Sequence, residues 1–133
     1  MTKNKICVAV VDDDASFARA IGRLLRASGY EINTYSSAET FLAPTPLPPA
    51  DCLVLDIQLG GMSGVELQQE LRDRGNATPI IFVTAHDAPE VRDEALRAGC
   101  VAYLRKPVAS HALLEAVTKA MGGGEKQPVN SEQ

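Results

Sequence analysis

Residues 6–14 read Ile6-Cys7-Val8-Ala9-Val10-Val11-Asp12-Asp13-Asp14. Six apolar residues without alternation predict a strand buried on both faces, and the three acids stop it. The same figure returns downstream. Cys52-Leu53-Val54-Leu55 runs into Asp56, and Ile80-Ile81-Phe82-Val83 runs into Thr84. Val101-Ala102-Tyr103-Leu104 is followed by Arg105, Lys106 and Pro107. Tyr30 to Tyr35 alternates and reads as a further strand.

Amphipathic stretches lie between these runs. Phe17, Ile21, Leu24 and Leu25 recur at helical spacing and Gly29 stops them. Ser36-x-x-Glu39 has the pattern of a capping box before a short helix carrying Ala38, Phe41 and Leu42. Pro44 to Pro49 holds four of the eight prolines and must be an extended loop. Gln58 to Gly64 is glycine-containing loop. Val65, Leu67 and Leu71 mark a helix stopped at Gly75. Pro89 starts another, with Val91, Ala95 and Ala98 as its stripe up to Gly99. Leu113, Leu114, Val117, Ala120 and Met121 form the last stripe, which Gly122 ends. Five strands alternating with five helices predict an α/β fold: a five-stranded doubly wound parallel sheet, order 2-1-3-4-5. Residues 1–121 make one domain, and 122–133 read as a flexible tail or linker start.

Composition narrows the function. Seventeen acids against thirteen Lys and Arg give a net charge of −4. The bases are scattered, which excludes a nucleic-acid phosphate track. No apolar run nears the roughly 20 residues of a membrane span, and the basic start leads into aspartates, not a signal peptide. A cytoplasmic location is the expectation. Cys7, Cys52 and Cys100 form no CxxC pair and read as reduced, core-filling thiols.

In an open α/β sheet the ligand site lies beyond the carboxyl ends of the strands, where strand order reverses. That point falls between the first and third strands, which end in Asp12-Asp13-Asp14 and Asp56. Taken alone, the aspartate triplet reads equally as an exposed acidic loop with a helix N-cap, and Asp14 is the cap candidate. Taken together, close carboxylates repel, and a hard divalent cation such as Mg2+ relieves them. A lysine opposite adds balance. Thr84 and Lys106 reach the same edge and offer hydrogen bonds to phosphoryl oxygens. A carboxylate can itself be the nucleophile in phosphoryl transfer.

Val11-Asp12-Asp13, Leu55-Asp56 through Gly64, Thr84-Ala85, and Ala98-Gly99 through Lys106-Pro107 stand in order at successive strand ends. In these residues the chain resembles the response-regulator receiver family of two-component signalling, a flavodoxin-like group, over residues 5 to about 121. The resemblance implies Asp56 as phosphoacceptor and Asp13 as a direct Mg2+ ligand. Asp12 would act mostly through water, and the Gln58 carbonyl would be a further ligand. Thr84 and Lys106 would contact the phosphoryl group, Tyr103 would be the switch aromatic, and the Lys106–Pro107 peptide would be cis. Implied partners are a sensor histidine kinase or phosphotransfer protein, which donates, and a downstream protein or output domain, which reads the fourth-helix, fifth-strand and fifth-helix face. No direct nucleic-acid or membrane contact is implied, and no external metabolite is turned over. The motifs around the third and fifth strands look most like receivers of the nodulation and nitrogen-fixation regulator type, which often precede helix-turn-helix domains. One departure stands out: Leu59-Gly60-Gly61 replaces a loop that often reads Met-Pro-Gly, which frees its backbone.

Three other functions are open to a chain of this fold. A flavodoxin-type FMN carrier needs hydroxyls and N–H groups where Asp12 to Asp14 would repel its phosphate. An aspartate-nucleophile phosphatase of the dehalogenase kind needs a second acid where Gln58 stands. A pseudo-receiver working without phosphorylation remains the alternative.

Overall fold

The structure is a computed structural model and describes residues 5–122. Five strands and five helices alternate: β1 Cys7–Val11, α1 Ala15–Ala27, β2 Glu31–Tyr35, α2 Ala38–Leu42, β3 Cys52–Leu55, α3 Gly64–Asp73, β4 Ile80–Thr84, α4 Pro89–Arg97, β5 Ala102–Arg105 and α5 Ser110–Ala120. All strand pairs are parallel, in the order β2-β1-β3-β4-β5. The order and the element sequence are those read from the apolar runs. Boundaries differ by a residue: Ile6 and Tyr30 fall outside their strands, and β5 begins at Ala102 and ends at Arg105. Of the expected tail, residues 123–133 lie outside the described residues. No described helix is long and apolar enough to cross a membrane.

The sheet's two-residue period sorts its side chains into two cores. Val8, Val10, Cys52, Val54, Ile81 and Val83 face one side and pack with Ile21 and Leu25 of α1 and Leu113 and Val117 of α5. Ala9, Val11, Leu53, Leu55, Ile80 and Phe82 face the other and pack with Phe41 of α2, Leu67 and Leu71 of α3 and Ala95 of α4. Helices cover both faces, so β3 and β4 are buried throughout and β1 at every residue but Cys7. The edge strands differ. β2 buries only Ile32 and β5 buries no residue fully, and that is why β2 alternates in sequence. Cys52 sits inside the first core, and burial pushes its thiol up to about 12, as a core-filling residue requires.

Two helix starts depart from expectation. The N-cap of α2 is Ser37, whose hydroxyl accepts from the Thr40 amide at 3.0 Å; Ser36 caps nothing, and Glu39 reaches elsewhere. The capping box forms at α3 instead. There Ser63 Oγ accepts from the Glu66 amide at 3.1 Å, and Glu66 Oε1 accepts from the Ser63 amide at 2.8 Å. α4 is the least anchored helix. Its N-cap, Ala88, supplies no side-chain bond, Ala95 is its one buried residue, and Leu96 is 47% exposed.

α3 starts against the end of β3. A Cβ on Gly64 would collide with the Asp56 backbone carbonyl and lie 3.1 Å from the Ile57 Cα. Neither neighbour is a flexible side chain, so only glycine permits this approach. Gly60 has open space around it and no such constraint. Gly64→Ala is therefore expected to lower unfolding free energy by about 1–3 kcal/mol in denaturant titration. Gly60→Ala should leave it equal or higher by up to about 1 kcal/mol. Equal effects at the two positions would contradict the close approach.

Candidate functional site

The strand register builds the site. Val11 pairs with Leu55, so the next residues, Asp12 and Asp56, emerge side by side from β1 and β3. Thr84 closes β4 and pairs with Arg105, so Lys106 follows directly at the same rim. Backbone bonds extend this order past the strands: the Asp56 amide donates to the Val11 carbonyl and the Lys106 amide to the Thr84 carbonyl. The Lys106–Pro107 peptide is cis.

Carboxylate oxygens of Asp12, Asp13 and Asp56 all lie within 4.8 Å of one another. Asp12 and Asp56 are buried, at 4% and 6% exposure, and Asp13 is exposed. Lys106 Nζ lies 2.9 Å from Asp12 Oδ2 and 3.4 Å from Asp56 Oδ2, bridging the two strands' acids. The same ammonium stands 4.2 Å from the ring centroid of Phe17 on α1, a cation–π contact that holds its position. Each buried acid spends its other oxygen on backbone: Asp12 Oδ1 accepts from the Asp14 amide at 2.9 Å, and Asp56 Oδ1 from the Gln58 amide at 3.1 Å. Asp14 is not in the cluster. It caps α1, with Oδ1 accepting from the Phe17 amide.

Burial and pairing compete differently at the two partners. Burial raises the Asp12 carboxyl above its ordinary value, outweighing the Asp14 amide and Lys106, which lower it. Lys106 is less enclosed. Burial lowers its pKa, but the hydrogen bond and charge of Asp12, with Asp56 adding, prevail and raise it. Lys106 is thus a firm cation. Burial disfavours the charged form of Asp12, a cost that a further cation at the cluster would relieve. Three carboxylates, two buried and one open to solvent, fit a hard divalent ion that keeps several waters.

Thr84 and Tyr103 meet through the backbone of His86. The fully buried Thr84 has its Oγ1 accepting from the His86 amide at 3.1 Å. The Tyr103 hydroxyl donates to the His86 carbonyl at 3.4 Å, and its ring tilts against Phe82 with centroids 6.3 Å apart. The His86 side chain is exposed, and the residue acts through its peptide, which no side-chain motif advertises. Phe17 was likewise legible only as part of a helical stripe.

The chain matches the family model described as "Response regulator receiver domain" over residues 8–118. It is 39% identical over 116 residues to nodulation protein W of Bradyrhizobium diazoefficiens, covering 87% of this chain and 51% of that protein. It is 35% identical to the transcriptional regulatory protein FixJ of Azorhizobium caulinodans, covering 90% of this chain and 57% of that one. Among solved structures, a response regulator receiver protein from Burkholderia phymatum superposes with a TM-score of 0.76 at 46% identity, covering 89% of this chain and 96% of that one. The chain spans between half and three-fifths of the length of the curated relatives it matches.

Removing the cation from this cluster should cost stability in a pH-dependent way. Lys106→Met leaves Asp12 and Asp56 without their ammonium, an expected loss of about 1–3 kcal/mol at neutral pH in metal-free buffer. Asp12, already raised, rises further in the variant, so its folded state binds protons more readily than its unfolded chain. Stability of the variant should then be lost as pH rises from the ordinary carboxylate value up to that raised one, be level above it, and recover as pH falls back through the same window. The parent's Lys106 contribution holds at neutral pH and fades only as pH rises through the lysine's own raised value. Denaturant titrations of both proteins in steps from acid to neutral pH check this, and parallel profiles would refute the coupling.

Proposed function

Because this chain belongs to the response regulator receiver family, we propose that Asp56 accepts a phosphoryl group from a histidine kinase or phosphotransfer protein and that the chain is a signalling switch. The observation that carries the reading is the bridge from Lys106 to Asp12 and Asp56 beside the exposed Asp13. It is an acidic cluster that its one lysine neutralises only in part, with a nucleophile held in place.

The nucleophile is an Asp56 carboxylate oxygen. It attacks phosphorus, the bond to the donor nitrogen breaks, and an acyl phosphate forms. The Gln58 amide on Oδ1 and the Gly64 contact behind the Asp56 carbonyl fix the carboxylate's direction. Asp13, Asp56 and the Gln58 carbonyl would hold Mg2+, with Asp12 contributing mostly through water. When bound, the ion supplies positive charge to the phosphoryl oxygens. Lys106 transfers its second contact from Asp56 to the phosphoryl group while keeping Asp12. Catalysis here is positioning and charge neutralisation, and no external metabolite is turned over.

The output follows from Thr84. Its hydroxyl accepts from the His86 amide and keeps its proton for the new phosphoryl oxygens, so a turn of Thr84 toward them pulls on His86, the residue whose carbonyl Tyr103 holds. Thr84 and Tyr103 therefore move as a coupled pair, and the loosely anchored α4 repacks with β5 and α5. Its partner is a downstream protein or output domain. Nodulation protein W and FixJ share the receiver region over about half their lengths, and FixJ is a transcriptional regulator by name. The region described here, at net charge −4, makes no direct nucleic-acid contact in this reading. It works in the cytoplasm, without membrane contact.

Incubation with Mg2+ and a small acyl-phosphate donor should add one phosphoryl group, stable in acid and labile in base, with Asp56→Asn as the silent control. Mass spectrometry reads the outcome. Modification of the Asn variant, or none of the parent, overturns the assignment. Mg2+ alone should stabilise the parent, by about 2.7 kcal/mol at a hundredfold excess over its dissociation constant, and much less so Asp13→Asn.

A further inference from the structure

The loop from Gln58 to Ser63 follows the acceptor and carries Leu59-Gly60-Gly61 in place of a stiffer sequence. Its ends are held locally. The Gln58 amide bonds Asp56 Oδ1, and the Ser63 amide bonds Glu66 Oε1 in the α3 capping box. Its middle is held from a different element. Glu39 of α2, 23 residues away in sequence, accepts from the Met62 amide through Oε2 at 2.7 Å. That amide and Glu39's own hold the carboxyl below its ordinary value, so the acceptor is ionised at neutral pH. Consecutive amides, 62 and 63, are thus each captured by a glutamate; Leu59 and Met62 pack their side chains on the second core, and Glu39 is what holds the loop's backbone from another element among the described residues.

Gly61 is shaped for this contact. A Cβ there would overlap Glu39 Oε2 and stand 3.1 Å from its Cδ. The obstacle is the far end of a flexible side chain, so an added methyl would push Glu39 away and not break the backbone. Neighbouring Gly60 faces open space. The two adjacent glycines therefore differ: one makes room for the strap and the other does not.

We propose that Glu39 is a positioning residue for the phosphoryl-accepting site, acting through the Met62 amide to hold the loop on which Gln58 presents its carbonyl. A flexible loop with a metal-facing carbonyl at one end needs its far half fixed, or the carbonyl spends part of its time turned away. The carboxylate of α2 supplies that fixation from outside the loop. This inference rests on the reading of Asp13, Asp56 and Gln58 as the holders of Mg2+. It concerns how tightly the ion is held, not which residue is phosphorylated.

The test is Mg2+ binding by calorimetry on the full chain, with amide hydrogen exchange by NMR as the local readout. Glu39→Ala should weaken Mg2+ binding roughly tenfold, the lower end for residues that act on a metal through others, and should speed exchange at Met62. Glu39→Gln keeps an acceptor oxygen and should restore most of the affinity. Gly61→Ala should mimic Glu39→Ala in the parent and do nothing further in the Glu39→Ala background, while Gly60→Ala leaves Mg2+ affinity unchanged in both. Glu39 is exposed, so the variants should fold. Unchanged Mg2+ affinity in Glu39→Ala, or additive losses from Glu39→Ala and Gly61→Ala, overturns the positioning role even where Met62 exchanges faster. A parent chain that binds no Mg2+, or binds it equally after Asp13→Asn, overturns the metal reading and this inference with it. Normal parent binding beside an indifferent Glu39→Ala overturns the strap alone.

Discussion

Two ionised carboxylates side by side beneath a protein surface need something positive to face them. β1 and β3 are adjacent and parallel, and each ends in an aspartate, so the sheet forces Asp12 and Asp56 together. Lys106 resolves the conflict from β5, two strands away from β3, with its ammonium on both acids and over the Phe17 ring. Much else is arranged around this. The crossover order brings β5 to the same rim, the Asp14 and Gln58 amides occupy the acids' remaining oxygens, and α1 brings Phe17 to cover the lysine. The cluster stays strained on the side of Asp12, where burial wins over pairing. A site whose charges were already at rest would have little to gain from a further cation.

Most of this was legible in the chain itself, for identifiable reasons. A strand covered on both faces must be apolar throughout, so β1, β3 and β4 stand out as unbroken runs, and the acids that stop β1 and β3 stand out equally. Asp14 as a cap followed from the preference of aspartate for helix starts. The weaker elements were harder to bound. β5 buries no residue fully, and its limits shift by one, to Arg105.

What was not legible depends on competition between near and distant partners. The pattern Ser-x-x-Glu occurs at both 36–39 and 63–66. It closes into a capping box only at the second. At the first, Ser37 takes the cap and Glu39 turns to Met62, 23 residues on, a choice no local pattern records. Backbone roles are hidden for a related reason. His86 links Thr84 to Tyr103 through its N–H and carbonyl, groups that nearly every residue carries. Gly64 shows the converse: its identity is dictated by a neighbouring carbonyl that becomes visible only in three dimensions.

The footing of the acceptor is uneven. On its α3 flank the chain is seated against backbone at Gly64 and locked by the Ser63–Glu66 box. On its β4 flank the next helix begins uncapped and has Ala95 as its one fully buried residue, with Val91 packed beside it and Gln68 on its carbonyl. A displacement begun at Asp56 therefore has more contacts to break on one flank than on the other.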